Sequence, residues 1–292
     1  MTLEQLRIFV AVAERQHLTR AADALALTPS AVSASIRGLE ERYGTLLFDR
    51  VGRRIEVNAA GRIFLDEARA TLARAAGAER ALAELAGLQR GALAIHASQT
   101  IASYWLPPLL VRFRDAHPHI DVHLDVGNTQ SVATAVREGG ADLGLIEGTV
   151  ADEALALDEV GHDSMAVVVA PGHPWAQKRR LLARDLQDAQ WIMREPGSGT
   201  RSVFATMLAG QGVDVAALHV ALTLPSNEAV RAAVMTGRYA AGLSELVAAP
   251  YIAAGLLARA PLALPPRPFF LLRHRERYRS KAAQAFEQVI RS

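Results

Sequence analysis

The sequence predicts an α/β protein in which an α-rich N-terminal domain precedes a two-lobed α/β domain. Three observations support this: helical spacing of apolar residues over 1–58, a proline-free stretch over 59–90, and alternating strand and helix patterns over 91–292. We expect these segments to be a first domain, a linker helix and a second domain. Within the second domain, lobe I is expected at about 91–162 and 267–292, and lobe II at about 163–266.

Composition excludes several classes of protein. With 292 residues, half of them hydrophobic, the chain can bury two cores. Its 32 basic and 30 acidic residues leave a net charge of +2, so binding to a polyanion depends on local patches. The absence of cysteine excludes disulfides, thiolate catalysis and cysteine-based zinc sites. We expect no secretory signal, because MTLEQLRIFVAVAERQ carries charges throughout and has no small-residue cleavage site. No uncharged apolar run reaches about 18 residues, so we expect no membrane span and a cytoplasmic location.

The N-terminal region has the pattern of three short helices. Thr19 is expected to cap the second helix and Thr28 the third, with Pro29 at the first helical position. The first helix carries its apolar residues at helical spacing. These residues are Leu3, Leu6, Phe9, Val10 and Ala13.

The third helix has one apolar face and one small, polar face. Val32, Ile36, Leu39 and Tyr43 form the expected buried stripe, which leaves Arg37 as the single large residue of the other face. Small residues allow a helix to enter the major groove of DNA, as in a helix-turn-helix, and an arginine can reach a base or a phosphate. An ordinary three-helix bundle is the alternative. The small residues are Ser30, Ala31, Ser33 and Ala34.

The segment LLFDRVGRRIEVN predicts a hairpin that turns at Gly52 and carries Arg50, Arg53 and Arg54 near its tip. An arginine-tipped hairpin after a helix-turn-helix is typical of a wing, which follows the DNA backbone or minor groove. The alternative is a solvated turn.

A long helix is expected from Asn58 to about Leu88. Its small and apolar residues keep a heptad-like spacing, with Glu79 as an acidic interruption. Such a helix is not stable as an exposed rod, so we expect it to pair with a second copy through Leu65, Leu72 and Leu82.

From Gly91 onward, strands and helices alternate, which predicts mostly parallel sheets with a cleft between two lobes. The last strand and helix are expected to return to the first lobe. Polar turns follow several strands, where open α/β sheets bind ligands. The candidate binding residues are Ser98, Gln99, Thr100, Asn128, Thr129, Glu147, Gly197, Ser198, Gly199, Thr200, Arg201, Ser226 and Asn227.

The loop REPGSGTR fits none of the common catalytic or nucleotide-binding motifs, because its glycine spacing is wrong and no lysine is near. Its glycines lead into a helix N-terminus, which favours an anion. We therefore expect a small, uncharged, donor-rich cup that binds a sulfur oxyanion, a carboxylate or a phosphorylated metabolite. Arg201 is a candidate anion contact, and Glu147 is expected to select against a second negative charge. The alternative is that each polar residue is only a helix cap.

Other motifs indicate no further chemistry. His119, Asp121 and His123 share one strand face and could bind a metal, but we interpret them as solvated side chains of a half-buried strand. We expect no metal, no cofactor, no catalytic residue and no enzymatic activity.

The segments LEQLRIFVAVAE and LTRAADALALTPSAVSASIRGLEERYGTLLFDRVGRRIEVNAAG resemble the DNA-binding region of LysR-type transcriptional regulators. The rest of the chain is similar to that family's effector domain, which resembles periplasmic binding proteins. SQTIASYWLPPLLVRF, VGNTQSVATAVREGGADLGLIEG and REPGSGTR are similar to the branch of sulfur-assimilation and carbon-fixation regulators.

This resemblance implies a homotetramer, dimeric through the linker helix, that binds inverted repeats in promoter DNA and responds to a small metabolite. It also implies the contacts to DNA. Pro29, Ala34 and Ser35 depart from the family's larger polar residues, which favours reading of DNA shape. The implied DNA-facing residues are Thr28, Ser30, Ala31, Ser33 and Arg37, with Arg20, Arg50, Arg53 and Arg54 on the backbone.

The sequence therefore predicts a ligand-responsive transcription regulator. Binding of a small anion is expected to change the tetramer, the DNA and the contact with RNA polymerase. The alternatives are a ligand-free DNA-binding protein, and a solute-binding protein or enzyme that uses the same two-lobed domain.

Overall fold

A computed structural model describes residues 1–52, 54–85 and 91–292. The chain divides into two compact units. The first unit comprises Met1–Leu88 with Arg137–Gly140, and the second comprises Gln89–Val136 with Ala141–Ser292. In the described part of the chain, no helix combines the length and the apolar character that crossing a bilayer requires.

Three helices open the first unit: α1 (Leu3–Arg15), α2 (Leu18–Ala24) and α3 (Pro29–Tyr43). The backbone N–H of Ala31 donates to the Oγ1 of Thr28 at 3.2 Å, which confirms Thr28 as the cap of α3. The prediction that Thr19 caps α2 is wrong. His17 caps that helix, because its Nδ1 accepts from the backbone N–H of Arg20.

The predicted hairpin forms from β1 (Phe48–Val51) and β2 (Arg54–Val57), which pair antiparallel. Gly52 lies at the turn with φ +61°, a conformation that glycine adopts without strain. Arg53, the second predicted arginine of the tip, lies outside the described residues. The hairpin leads into α4 (Ala59–Leu85), whose first turn is capped by Asn58 Oδ1 accepting from the N–H of Gly61 at 2.9 Å.

Two predicted apolar stripes are wrong in part. Tyr43, expected to be buried with Val32, Ile36 and Leu39, is 56% exposed. In α4, Leu65 and Leu72 pack against the core of the first unit, whereas Leu82 is 69% exposed. The three leucines therefore do not share one free face. The first half of α4 uses its leucines within its own domain, which a heptad pattern alone does not reveal.

The second unit contains a five-stranded sheet in the order β4-β3-β5-β12-β6. A π-helical turn at Ile101–Trp105 precedes the first of its helices. The last strand and the last helix return to this sheet as expected. Its strands are β3 (Gly91–Ser98), β4 (Ile120–Gly127), β5 (Leu143–Glu147), β6 (Leu155–Asp163) and β12 (Arg267–His274), and its helices are α5 (Pro107–Ala116), α6 (Thr129–Glu138) and α11 (Lys281–Arg291).

The segment between β6 and β12 forms two smaller sheets, in the orders β10-β7-β11 and β8-β9. Apolar side chains of its helices and strands make two further buried clusters. The strands are β7 (Met165–Val169), β8 (Gln190–Arg194), β9 (His219–Leu224), β10 (Ala241–Ser244) and β11 (Ala258–Arg259). The helices are α7 (Ala183–Asp188), α8 (Gly199–Gly210), α9 (Asn227–Val234) and α10 (Glu245–Ala253).

The expectation of mostly parallel sheets is wrong. β3 pairs parallel with β4 and β5, and β8 pairs parallel with β9. The pairs of β12 with β5 and β6, and of β7 with β10 and β11, are antiparallel. The chain leaves the five-stranded sheet through β6 and re-enters it through β12. These two strands pair with each other along their whole length, in opposite directions.

A buried ion pair joins β6 and β12, the two strands through which the chain leaves and re-enters the five-stranded sheet. Arg267, the first residue of β12, is paired in register with Asp163, the last residue of β6. The guanidinium donates from Nε at 3.1 Å and from Nη2 at 2.7 Å to Asp163 Oδ2. Neither side chain is more than 2% exposed. A buried guanidinium requires such a partner, because an uncompensated charge is costly away from water.

Replacement of Asp163 by alanine is expected to lower the free energy of unfolding by about 3–5 kcal/mol, since it strands the charge of Arg267. Arg291→Ala is the control. It removes an exposed ion pair with Asp158, at 3.1 Å, and is expected to cost less than about 1 kcal/mol. The three tryptophans, Trp105, Trp175 and Trp191, all lie in the second unit, so urea denaturation followed by their fluorescence reports on it. Equal costs for the two variants would contradict a structural role of the buried pair.

Candidate functional site

The first candidate site is the outward face of α3. Thr28, Ser30, Ala31 and Arg37 are exposed on this face, and Ser33 is half-buried. The hydroxyls of Thr28 and Ser30 lie 3.0 Å apart, so both are held at the N-terminus of the helix. The opposite face is buried in the core of the first unit. The result is a smooth helix surface with one long cationic side chain.

A groove of about 670 Å³ separates α3 from the hairpin. Ser33 and Arg37 line it from the helix, and Arg50, Gly52 and Arg54 line it from the hairpin. Among the described residues, these three arginines form no ion pair with an acidic side chain, and all three are exposed. The structure thus brings Ser33, Arg37, Arg50 and Arg54 of the predicted DNA-facing residues to one concave surface. Such a surface suits a polyanion, because each guanidinium keeps its charge available. Arg20, on α2, is also exposed.

The second candidate site lies in the second unit, where the predicted polar turns come together. Ser98 and Glu147 end the adjacent parallel strands β3 and β5, and Arg194 ends β8. Ser198 caps α8 and Ser226 caps α9. Of the predicted residues, Gln99, Asn128, Gly197, Arg201 and Ser226 are half-buried. Ser98, Thr100, Thr129, Glu147, Ser198, Gly199, Thr200 and Asn227 are buried.

Asn227 is the central residue of one hydrogen-bond network in this site. Its side chain is fully buried, donates to the Oγ1 of Thr100 at 3.0 Å and accepts from Arg194 Nη1 at 2.7 Å. Its backbone N–H donates to Gln99 Oε1 at 2.8 Å. The turn after β3 is therefore tied to the N-terminus of α9 in the other group of strands.

Glu228 extends this network beside Asn227. It accepts from Gln99 Nε2 at 2.7 Å and from the hydroxyl of Tyr104 at 3.0 Å. Burial, together with the hydrogen bond to Glu228 and its charge, raises the pKa of Tyr104 above its ordinary value. Tyr104 thus remains a hydrogen-bond donor and holds the network in place.

A second connection joins the turn after β4 to the glycine loop. Asn128 Nδ2 donates to Glu195 Oε1 at 3.4 Å, and the N–H of Gln130 donates to the carbonyl of Gly197 at 3.2 Å. Glu195 also accepts two hydrogen bonds from Arg194. Arg201, a candidate anion contact, donates from Nη1 to the carbonyl of Arg194 at 2.8 Å. One arm of its guanidinium is therefore used to hold the loop.

Gly199 allows the closest approach of backbone in the site. A Cβ at this position would lie 2.3 Å from the carbonyl oxygen of Glu147 and 2.3 Å from the Oγ1 of Thr129. Thr129 itself donates to that carbonyl at 3.0 Å. The start of α8 is thus packed directly on the end of β5, which only glycine permits.

Four hydroxyls in the site have protons available for a ligand. Thr100 and Thr200 accept from Asn227 and Arg267, and Ser198 accepts from the N–H of Arg201. Ser98 Oγ has no hydrogen-bond partner among the described residues. Each hydroxyl can therefore still donate. The free N–H groups at the start of α8 add further donors.

The expectation of an uncharged cup is wrong. Arg267 lies within the site, since its Nη1 donates to the Oγ1 of Thr200 at 3.1 Å, and it brings Asp163 with it. Arg194 and Glu195 are the other charged pair. Sequence reasoning missed these four residues. Arg267 begins an apolar strand and Arg194 precedes the glycine loop, but neither position alone indicates burial. His119, Asp121 and His123, interpreted from the sequence as solvated side chains, are exposed.

Comparisons with known proteins identify both regions. Residues 3–62 match the model of the bacterial regulatory helix-turn-helix protein, LysR family, and residues 86–292 match the LysR substrate-binding domain. The HTH-type transcriptional regulator YeiE of Escherichia coli strain K12 is 35% identical over 98% of this chain and 96% of its own length. A probable RuBisCO transcriptional regulator of Trichormus variabilis is 34% identical over 99% of this chain and 87% of its own length.

One solved structure covers the second region. The regulatory domain of Synechocystis CcmR, in complex with 2-PG, aligns with a TM-score of 0.63 and 25% identity over 69% of this chain and 96% of that domain. The arginine-lined groove beside α3 therefore lies in the matched helix-turn-helix region, and the donor-rich site lies in the matched substrate-binding domain. The chain belongs to the LysR family, as a DNA-binding transcription regulator with an effector-binding domain.

Proposed function

We propose that the chain controls promoters by binding inverted repeats in the cytoplasm, and that a small anion in the effector domain sets its activity. The observation that supports the anion most directly is the group of four buried hydroxyls whose protons remain available. A site that offers donors from several turns and a helix N-terminus suits an oxyanion, a carboxylate or a phosphorylated metabolite. We propose that this site binds the effector and does not catalyse a reaction on it.

On the DNA side, α3 enters the major groove. Ser30, Ala31 and Ser33 allow close approach, and Arg37 reaches a base edge or a phosphate. Arg20, Arg50, Arg53 and Arg54 contact phosphates of the backbone. Because so few side chains can form paired hydrogen bonds to bases, DNA shape contributes to recognition.

Replacement of Arg50 or Arg54 by alanine is expected to weaken operator binding and to reduce the slope of log K against log salt by about 0.9 for each phosphate that the variant no longer neutralises. Arg37→Ala is expected to cost about 1–3 kcal/mol and, if it contacts a base, to relax sequence preference at that position. Titrations against a DNA fragment selected from a random pool, at several salt concentrations, measure both quantities. Arg7→Ala, on the exposed surface of α1, is the control. A slope unchanged by all three groove variants would show that the groove does not face DNA.

On the effector side, the CcmR domain that this region resembles is complexed with 2-PG, which supports a small ligand here. Arg267 and Arg194 make the site less acidic, and the start of α8 adds a favourable dipole. We expect ligand binding to shift the balance between arrangements of the two lobes. Such a shift changes the tetramer, the bend of the DNA and the contact with RNA polymerase.

Thermal melting against a panel of sulfur oxyanions, carboxylates and phosphorylated compounds tests the effector class. A ligand at about one hundred times its Kd is expected to stabilise the chain by about 2.7 kcal/mol. Thr100→Val removes a donor while keeping the shape of the side chain, and is expected to weaken binding about tenfold, the effect of one hydrogen bond of about 1.4 kcal/mol. Thr206→Val, on the exposed side of α8, is the control. Equal binding by both variants would mean that the ligand does not use the hydroxyl of Thr100.

The assembly is proposed to be a dimer of dimers, with the first interface on α4. Ile63 is 72% exposed and borders an apolar groove of about 410 Å³ with Met1, Leu39 and Tyr43. Ile63 and the exposed Leu82 lie nearly equidistant from the midpoint of α4. A two-fold antiparallel pair of these helices therefore brings Leu82 of one copy close to this groove of the other.

Ile63→Glu is expected to dissociate this interface, because it places a charge in the apolar groove. Light scattering of the full-length chain is expected to show a smaller assembly, with weaker binding to an inverted repeat. Leu256→Glu, an exposed apolar position in the second unit, is the control. An unchanged molar mass for Ile63→Glu would place the interface elsewhere.

A further inference from the structure

Among the described residues of the effector site, Glu147 is the acidic side chain with a buried oxygen that accepts no hydrogen bond. It ends β5 and is 2% exposed. Its Oε1 has no hydrogen-bond partner among the described residues, and the nearest cation, Arg267 Nη2, lies 3.8 Å away. That separation is too long for a hydrogen bond. A buried carboxylate oxygen without a donor is costly, so its retention requires an explanation.

Arg267 forms a long ion pair with Glu147, at 3.8 Å, but donates no hydrogen bond to it. Two of its N–H groups donate to Asp163 and a third donates to Thr200. One guanidinium thus lies between two carboxylates. The Oε1 of Glu147 therefore remains without a donor at the end of β5.

Ser98 provides a second, independent observation. It is 2% exposed and its Oγ also has no hydrogen-bond partner among the described residues. Ser98 ends β3, which pairs in parallel with β5 so that Ala97 lies opposite Leu145. Ser98 and Glu147 therefore lie at the same ends of adjacent strands. A buried donor and a buried acceptor, both without a partner among the described residues, thus lie at the same end of the five-stranded sheet.

We propose that the effector is an anion that carries its own hydrogen-bond donor, such as a hydrogen oxyanion or a hydroxy acid. This inference rests on the anionic effector proposed above. The ligand accepts hydrogen bonds from the hydroxyls of Ser98, Thr100 and Thr200, and donates one to Glu147. An anion of the same shape and charge without a proton is excluded, because it leaves Glu147 unpaired and brings two acceptors together.

Hydrogenphosphate and sulfate provide a matched pair of probes. Both are tetrahedral, sulfate is a dianion and phosphate is mainly the dianion at about pH 8, and the two dianions differ in one O–H. Isothermal titration of the full-length chain is expected to show hydrogenphosphate binding at least about 100-fold more tightly than sulfate. This comparison needs no substitution, so it does not depend on the folding of a variant.

Glu147→Gln tests the residue itself. Its amide offers N–H donors in place of a carboxylate oxygen, so sulfate is expected to gain at least about tenfold in affinity and the preference for hydrogenphosphate to shrink. Glu159→Gln is the control, since it removes the same charge from an exposed position on β6. It is expected to leave both affinities unchanged.

The outcomes separate the two proposals. Equal binding of hydrogenphosphate and sulfate by the unaltered chain would overturn this inference and leave the anionic effector standing. A preference that is as large in Glu147→Gln as in the unaltered chain would also overturn it. Failure of both anions to bind either protein would overturn the inference for hydrogen oxyanions, whereas the anionic effector class is overturned only if the carboxylates and phosphorylated compounds of the melting panel also fail to bind.

Discussion

The buried ion pair between Arg267 and Asp163 is the constraint on which the effector domain depends. The two residues lie at the only strands, among those described, through which the chain leaves and re-enters the five-stranded sheet. Because a guanidinium in this position must be fully hydrogen-bonded, it also engages Thr200 at the start of α8. The partners of this one buried charge thus hold β6 against β12 and fix the first turn of α8. Through Gly199, the first turn of α8 in turn packs on the end of β5.

Direct hydrogen bonds also connect the five-stranded sheet with the strands between β6 and β12. Thr100 follows the five-stranded sheet and Asn227 follows β9, and their direct hydrogen bond joins the two groups of strands without any ligand. Asn128 and Glu195 form a second such connection. A ligand that enters this network exchanges its own hydrogen bonds for some of these. It can shift the arrangement of the lobes only by the difference between its affinities for the arrangements, so regulation here is a redistribution of existing states.

Local signals in the sequence were sufficient for most of the elements and for the turns of the site. Helix caps such as Thr28 and Ser198 depend on residues within one turn, so a short segment predicts them. The ion pair of Arg267 joins positions 104 residues apart, and no local pattern indicates it. The heptad pattern of α4 has a related limit. Periodicity shows that a face is apolar, but not whether a neighbouring helix or a second copy covers it. The polar turns of the site follow from local signals, whereas Arg267 and Asp163 join it only through the fold.

The two surfaces of the protein use arginine in opposite ways. On the first unit, Arg37, Arg50 and Arg54 are exposed and, among the described residues, unpaired, so their charge is available to a polyanion and is screened by salt. In the effector site, Arg194 and Arg267 are buried and paired with carboxylates, so they hold the neighbouring side chains in place and add little net charge. Recognition of DNA should therefore vary strongly with ionic strength, whereas recognition of the effector should depend on the match of donors and acceptors. This division allows one chain to carry a DNA-binding surface and an effector site that respond differently to ionic strength.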